Sequence, residues 1–275
     1  MKVVLTGAGG MLGHDLQRAF SDAEVTGFSS SSLDVTRLDD VVARIRDSAP
    51  DIVIHAAAFT DVDQCESEPE KAYLVNGIGT RNVVMACEEA GCPIVYISSD
   101  YVFDGGKRSP YDEWDDVNPL SVYGLSKLMG ERYVSTLTNR FYVVRTSWLY
   151  GRHGKNFVDT IVRLLSERER IEVVNDQVGS PTYTADLARK IRELAGRGYG
   201  IYHATNGGSC SWFDFAVAIA ANRGIGKEIV PVKSEQFKRA AERPAYSVLG
   251  NTMLRLEGVG VLRPWEEALR EYLGS

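Results

Sequence analysis

The chain has 275 residues, 44% hydrophobic and 25% charged, the proportions of an ordinary globular protein long enough for a large core. A net charge of −6 and a pI near 5.4 argue against nucleic acid or an anionic membrane as the main partner, although a local basic pocket can still take an anionic substrate. Met1 to Thr6 run straight into glycines, which leaves no room for a signal peptide, and no later stretch has transmembrane length; the expectation is a cytoplasmic protein with no membrane partner.

The first apolar run, Lys2 to Leu5, is short and rich in β-branched residues, the pattern of a buried strand. It leads into Gly7-Ala8-Gly9-Gly10-Met11-Leu12-Gly13 and an amphipathic stretch near residues 11–20. Glycines here permit a tight turn, a close approach of backbone to phosphate and close packing of a helix whose N-terminus faces a pyrophosphate. Gly7, Gly10 and Gly13 fit GxxGxxG and not GxGxxG, since position 12 is Leu12. With a strand before and a helix after, a dinucleotide loop is a better reading than a turn that merely tolerates glycine.

The second strand, Glu24 to Phe28, ends in Ser29-Ser30-Ser31-Ser32, without the acidic residue that commonly bonds an adenosine ribose hydroxyl and selects NADH. Nothing there repels a ribose phosphate, so NADPH is expected to serve at least as well as NADH. No arginine stands in the serine run, so exclusion of NADH does not follow. Asp34 is either an adenine contact or the cap of a helix beginning near Arg37.

Strands at Ile52 to His55, Ile94 to Ile97 and Tyr142 to Arg145 alternate with amphipathic stretches near 38–47, 66–90 and 121–137. This rhythm predicts an α/β fold, a doubly wound parallel sheet with right-handed crossovers and helices on both faces. Beyond Thr146 it loosens into polar loops at Gly151 to Asn156, Asn175 to Thr182 and Asn206 to Ser211. Helices at Thr184 to Leu194, Trp212 to Asn222 and Trp265 to Leu273 remain legible, with strands at Gly200 to Ala204 and Ile229 to Val232. Residues 1–150 are therefore assigned to the dinucleotide-binding domain and 151–275 mainly to a smaller substrate lobe, partly interleaved with the sheet.

Cys65, Cys87, Cys92 and Cys210 form no CxxC pair, and His14, His55, His153 and His203 are scattered, so reduced thiols and no metal site are expected. Tyr123 and Lys127 lie four apart, on one face of a predicted helix. A nearby lysine charge lowers the pKa of a phenol, which ordinarily titrates near ~10, and brings it within range of acid–base work. Spacing alone also fits a solvated helix face; the glycine loop upstream gives the pair its meaning.

Taken in order, the glycine loop, His55-Ala56-Ala57-Ala58-Phe59-Thr60, Ser98-Ser99-Asp100-Tyr101-Val102-Phe103-Asp104-Gly105 and Tyr123-Gly124-Leu125-Ser126-Lys127 resemble the extended short-chain dehydrogenase/reductase family. The likeness continues through Arg145-Thr146-Ser147-Trp148-Leu149-Tyr150-Gly151, Asp176-Gln177-Val178-Gly179-Ser180-Pro181-Thr182 and Arg243-Pro244-Ala245-Tyr246-Ser247-Val248-Leu249, over nearly the whole chain. It implies a Rossmann domain and, within that family, the reduction of dTDP-4-dehydro-6-deoxy-L-mannose to dTDP-L-rhamnose by NADPH or NADH.

The same resemblance implies a catalytic set of Ser99, where threonine is frequent in the family, with Tyr123 and Lys127. It implies cofactor contacts at Gly7, Gly10, Met11, Leu12, Gly13, Ser29, Asp34, Val35, Ala56, Ala57 and Ala58, besides Tyr123 and Lys127. Asp100, Tyr101 and Trp148 are expected to meet the dTDP-sugar, and Arg243 its diphosphate; for Trp148 ordinary core packing, and for Arg243 a plain surface position, are the alternatives. Asn76 is read as a support behind the site. Other nucleotide-sugar reductases and epimerases share these residues. The chain also resembles the methionine adenosyltransferase beta subunit, a regulatory protein that keeps the fold. Some family members associate through a divalent ion, which leaves a homodimer open.

Overall fold

The structure, a computed structural model, describes residues 1–274. Strand β1 (Lys2–Thr6) buries Val3 and Leu5 on one face and Val4 on the other, as a strand covered by helices on both sides must. It is followed by α1 (Met11–Ala19), β2 (Glu24–Phe28), α2 (Leu38–Ser48) and β3 (Ile52–His55). The stretch predicted as one amphipathic segment over 66–90 is in fact four pieces: α3 (Val62–Ser67), α4 (Pro69–Ala72), a π-helical turn at Tyr73–Ile78 and α5 (Gly79–Ala90). Pro69 cannot continue the helix before it. The π turn carries the buried Asn76, whose side chain is claimed by Phe59 on one side and Ser126 on the other.

Then come β4 (Ile94–Ser99), a single 3-10 turn at Asp100–Val102, α6 (Val122–Leu137) and β5 (Phe141–Thr146). Beyond these lie β6 (Leu149–Tyr150), α7 (Phe157–Glu167), β7 (Arg170–Val174), β8 (Val178–Gly179), β9 (Thr182–Tyr183), α8 (Thr184–Leu194), β10 (Gly200–His203) and β11 (Cys210–Ser211). The chain closes with α9 (Trp212–Asn222), β12 (Glu228–Val232), α10 (Thr252–Leu256) and α11 (Trp265–Leu273).

The main sheet is wholly parallel, with strand order β10-β5-β4-β3-β1-β2. Helices α1 and α8 cover one face through Leu16, Phe20, Leu187 and Ile191; α2, α5 and α6 cover the other through Val41, Ile45, Val83 and Val134. This is the expected doubly wound architecture, and the late elements α8 and β10 return to it. A separate core of Tyr150, Val158, Phe215, Trp265 and Leu269 holds the lobe together. Helix α7 and strand β7 were not foreseen. Yet Val158, Ile161 and Leu165 bury one stripe of α7, and Asn156 caps it by accepting the Asp159 amide. All four cysteines are buried free thiols, and among the described residues no helix is long and apolar enough to cross a membrane.

Candidate active site

The strand order turns back at β1 and β3, so a crevice opens at their carboxyl ends, where folds of this kind take ligands. Thr6 and His55, the last residues of these neighbours, are joined side chain to side chain at 2.6 Å, and His55 reaches Thr80 on α5 at 3.1 Å. Burial, with the Lys127 charge adding to it, lowers His55 to about 3, so this imidazole is a neutral strut. The loop above it has no room for side chains at Gly7 and Gly13. Gly7 adopts φ +77° with a would-be Cβ 2.6 Å from the Ala56 carbonyl carbon, and a Cβ on Gly13 would lie 2.2 Å from the Gly7 oxygen.

Helix α1 starts at Gly10 with no side-chain cap and no acidic residue in its first turn. Its N-terminal N–H groups and its dipole are thus available to an anion. Met11 lies against Gly151, and Leu12 turns into the sheet core. Ser29 donates its amide to Ser32 Oγ at 2.9 Å and shares a 2.8 Å contact with Ser31 Oγ, an exposed hydroxyl cluster. Asp34 accepts from the Thr36 amide at 3.0 Å and hydroxyl at 2.7 Å, and so holds the turn before α2 without capping it; the residue at the cap is Arg37. The Val35 side chain is buried against Gly79, and its carbonyl accepts from Asn82 at 3.0 Å. Ala56, Ala57 and Ala58 form a half-buried segment, anchored where Ala56 donates to the Thr6 carbonyl at 3.1 Å. Small residues, a bare helix N-terminus and hydroxyls without a carboxylate fit a dinucleotide carrying or lacking a ribose phosphate.

Ser99 ends β4, and Tyr123 and Lys127 begin α6, which Ser121 caps by accepting the Gly124 amide at 3.2 Å. The structure brings the Ser99 and Tyr123 side chains together, and Lys127 follows Tyr123 one helical turn on. Ser99 Oγ donates to Asp100 Oδ1 at 3.0 Å, and its hydroxyl is the neighbour that draws the Tyr123 pKa down. Burial outweighs it and leaves the Tyr123 phenol well above its ordinary value, with Asp100 and Tyr101 pushing the same way. The expectation that Lys127 sets a lowered tyrosine pKa is therefore corrected. The lysine is itself buried, lowered to about 7, and its Nζ donates to the Ile97 carbonyl at 2.7 Å. Desolvation dominates both groups, so the phenol keeps its proton and the ammonium is poised to lose one.

Around this centre, burial raises Asp100 to about 6. Its Oδ2 and the Thr146 hydroxyl, which stands beside Ser99 in the strand register, are buried without a hydrogen bond among the described residues. Polar atoms left unpaired in a cleft wall suit a polar ligand. Tyr101 meets Tyr123 edge-on, with ring centroids 5.6 Å apart. Trp148 holds a left-handed φ of 46° and stacks flat on Trp212 at 3.4 Å, its edge against Gly179. It is thus packed on the lobe core, half-buried, at the carboxyl end of β5. Arg243 gives both terminal nitrogens to Asp63 on α3, at 3.2 and 2.8 Å, and its Nη1 also reaches the Ala241 carbonyl. Asn76 lies behind this centre: its amide donates to the Phe59 carbonyl and to Ser126 Oγ, which donates to the Tyr123 carbonyl at 2.7 Å. Sequence reasoning missed Asp63, Trp212, Glu131 and the Arg145 side chain. Of these only Glu131 carried a local signal, one more step of four beyond Lys127.

A family model described as RmlD substrate binding domain matches residues 1–275. The spore coat polysaccharide biosynthesis protein SpsK of Bacillus subtilis is 43% identical over 99% of this chain and 96% of its own. Among solved structures, a dTDP-4-dehydrorhamnose reductase of Clostridium acetobutylicum is 44% identical with a TM-score of 0.97, covering 100% of this chain and 99% of its own. The dTDP-4-dehydrorhamnose reductase of Bacillus anthracis, solved with NADP, is 45% identical, also with a TM-score of 0.97, covering 99% of this chain and 98% of its own.

Proposed function

Since the chain belongs to the RmlD substrate binding domain family, we propose that it reduces the keto group of dTDP-4-dehydro-6-deoxy-L-mannose with NADPH or NADH, giving dTDP-L-rhamnose. The observation that carries this reading is the convergence of the Ser99 hydroxyl and the Tyr123 phenol at the carboxyl end of β4. A reduction needs a proton donor there, and Tyr123 is one at neutral pH.

When bound, the nicotinamide supplies the hydride. Tyr123 gives its phenolic proton to the carbonyl oxygen of the sugar, and Ser99 Oγ hydrogen-bonds that oxygen as its charge grows. Lys127 then offers its charge to the phenolate that remains, and its ammonium is also the group proposed to hold the nicotinamide ribose. Gly7, Gly10, Met11, Leu12 and Gly13 are proposed to hold the pyrophosphate; Ser29, Asp34 and Val35 line the adenosine end, and Ala56, Ala57 and Ala58 admit the cofactor to the sheet edge. Asp100 and Tyr101 are proposed to position the sugar, with Trp148 offering it a ring face. Arg243, its fork on Asp63 and its guanidinium beside the Tyr101 hydroxyl, is proposed to turn its charge to the diphosphate.

In this reading most of 151–275 serves the substrate, the enzyme works in the cytoplasm, and a homodimer is the assembly that sedimentation would test. The direct experiment is NADPH oxidation by purified protein with this keto sugar, the product identified by NMR. Turnover to dTDP-L-rhamnose is expected, at a kcat/KM with NADPH at least equal to that with NADH. Cofactor binding with no turnover of this sugar would overturn the substrate, and a strong preference for NADH would overturn the reading of the serine run.

A further inference from the structure

Tyr123, Lys127 and Glu131 succeed one another at intervals of four along one face of α6. Glu131 is 4% exposed, yet all its bonding is supplied from within: Oε1 accepts from Ser98 Oγ at 2.5 Å and from Arg145 Nε at 2.9 Å, and Oε2 from Arg145 Nη2 at 2.8 Å. Ser98 and Arg145 are register partners on β4 and β5, so one carboxylate joins two strands to the helix. Ile97, just before Ser98, is held by Lys127 Nζ, and the residue just after it is Ser99.

We propose that Glu131 is a positioning residue that keeps Lys127 charged beneath Tyr123 and fixes the strand end carrying Ser99. The inference rests on the role given to Lys127 above. Lys127 and Arg145 are each 3% exposed, two cations buried in one region. The other titratable groups facing the lysine bring no negative charge: Tyr96, whose ring lies 4.3 Å from Nζ, is raised by burial, His55 is neutral, and Tyr123 is protonated. Asp100, beyond Ser99, acts on Tyr123. Arg145 looks otherwise to the Glu113 carbonyl and His203 Nε2, both at 3.4 Å, and to the Phe103 ring, and His203 is lowered by burial. Glu131 is the group that raises Lys127 against its desolvation. Take its charge away and desolvation acts on the lysine unopposed, so the ammonium holds its proton less firmly.

The test compares wild type, Glu131→Gln and Glu131→Asp by NMR titration of labelled lysine, with the Lys127 signal assigned by its loss in Lys127→Ala. In Glu131→Gln the Lys127 midpoint should fall by about one pH unit or more, the size of a single nearby charge. The alkaline limb of kcat should move down with it, and Glu131→Asp, which keeps the charge, should leave both nearer to wild type. A purely structural Glu131 would lower stability and leave the midpoint in place; an unmoved midpoint in folded Glu131→Gln overturns the proposal. A shifted midpoint in a protein that does not reduce the sugar would uphold this inference and sink the proposed substrate.

Discussion

The Arg145–Glu131 and Arg243–Asp63 pairs are both two-pronged, with shortest contacts of 2.8 Å, but the side chains alone are 4% and 5% exposed in the first pair and 14% and 34% in the second. The first joins α6 to β5, regular elements packed on both sides, directly under the chemistry. The second joins α3 to an irregular stretch of the lobe at the edge of the site, where water screens it. Identical contacts therefore differ in their surroundings: one ties a helix to the sheet in a dry interior, and the other lies where water weakens it.

The comparison breaks first at the buried pair. Arg145→Met leaves Glu131 charged and unpaired, and should cost about 3–5 kcal/mol of folding stability in urea unfolding, with much of it restored by adding Glu131→Leu. A loss under about 1 kcal/mol would mean that water reaches the pair. Next comes the aromatic wall of the lobe. If Trp148 lends the sugar a ring face, Trp148→Ala should raise KM about 10- to 100-fold, or about 1.4–2.7 kcal/mol, with a smaller change in kcat. A collapse of kcat alone would move Trp148 into the chemistry.

The smallest effect belongs to the exposed pair. The Arg243 hydrogen bond, above all, lowers Asp63 from 3.8 to about 2. A carboxylate lowered in the folded state adds stability above its unfolded value and loses it as pH falls through the folded one. Wild type should exceed Asp63→Asn by no more than about 1 kcal/mol after screening, and the gap should close between pH 4 and pH 2. A gap that stays constant across that window, followed by thermal unfolding, would assign the difference to packing.

The same contrast explains what was legible in the sequence. Buried parallel strands read directly as apolar runs, and Tyr123 with Lys127 could be found because helix geometry turns a spacing of four into a shared face. The broken stretch reads as one segment over 66–90 because an apolar stripe survives the Pro69 break and the π turn at Asn76. Helix α7 was hidden behind a polar loop despite its Asn156 cap. The bonds from Glu131 to Ser98 and Arg145 span 33 and 14 residues, and Arg243 reaches Asp63 across 180, so only tertiary packing discloses them. The direction of the Tyr123 shift was misjudged for the same reason, since burial is a property of the fold and not of the motif.

The central claim is that the phenol of Tyr123, set beside the Ser99 hydroxyl, is the proton donor. Single-turnover reduction of the keto sugar by NADPH, wild type against Tyr123→Phe, tests it most directly. The hydride-transfer rate should fall about 10²- to 10⁴-fold, while NADPH affinity changes little. A wild-type rate in Tyr123→Phe would contradict the account at its core.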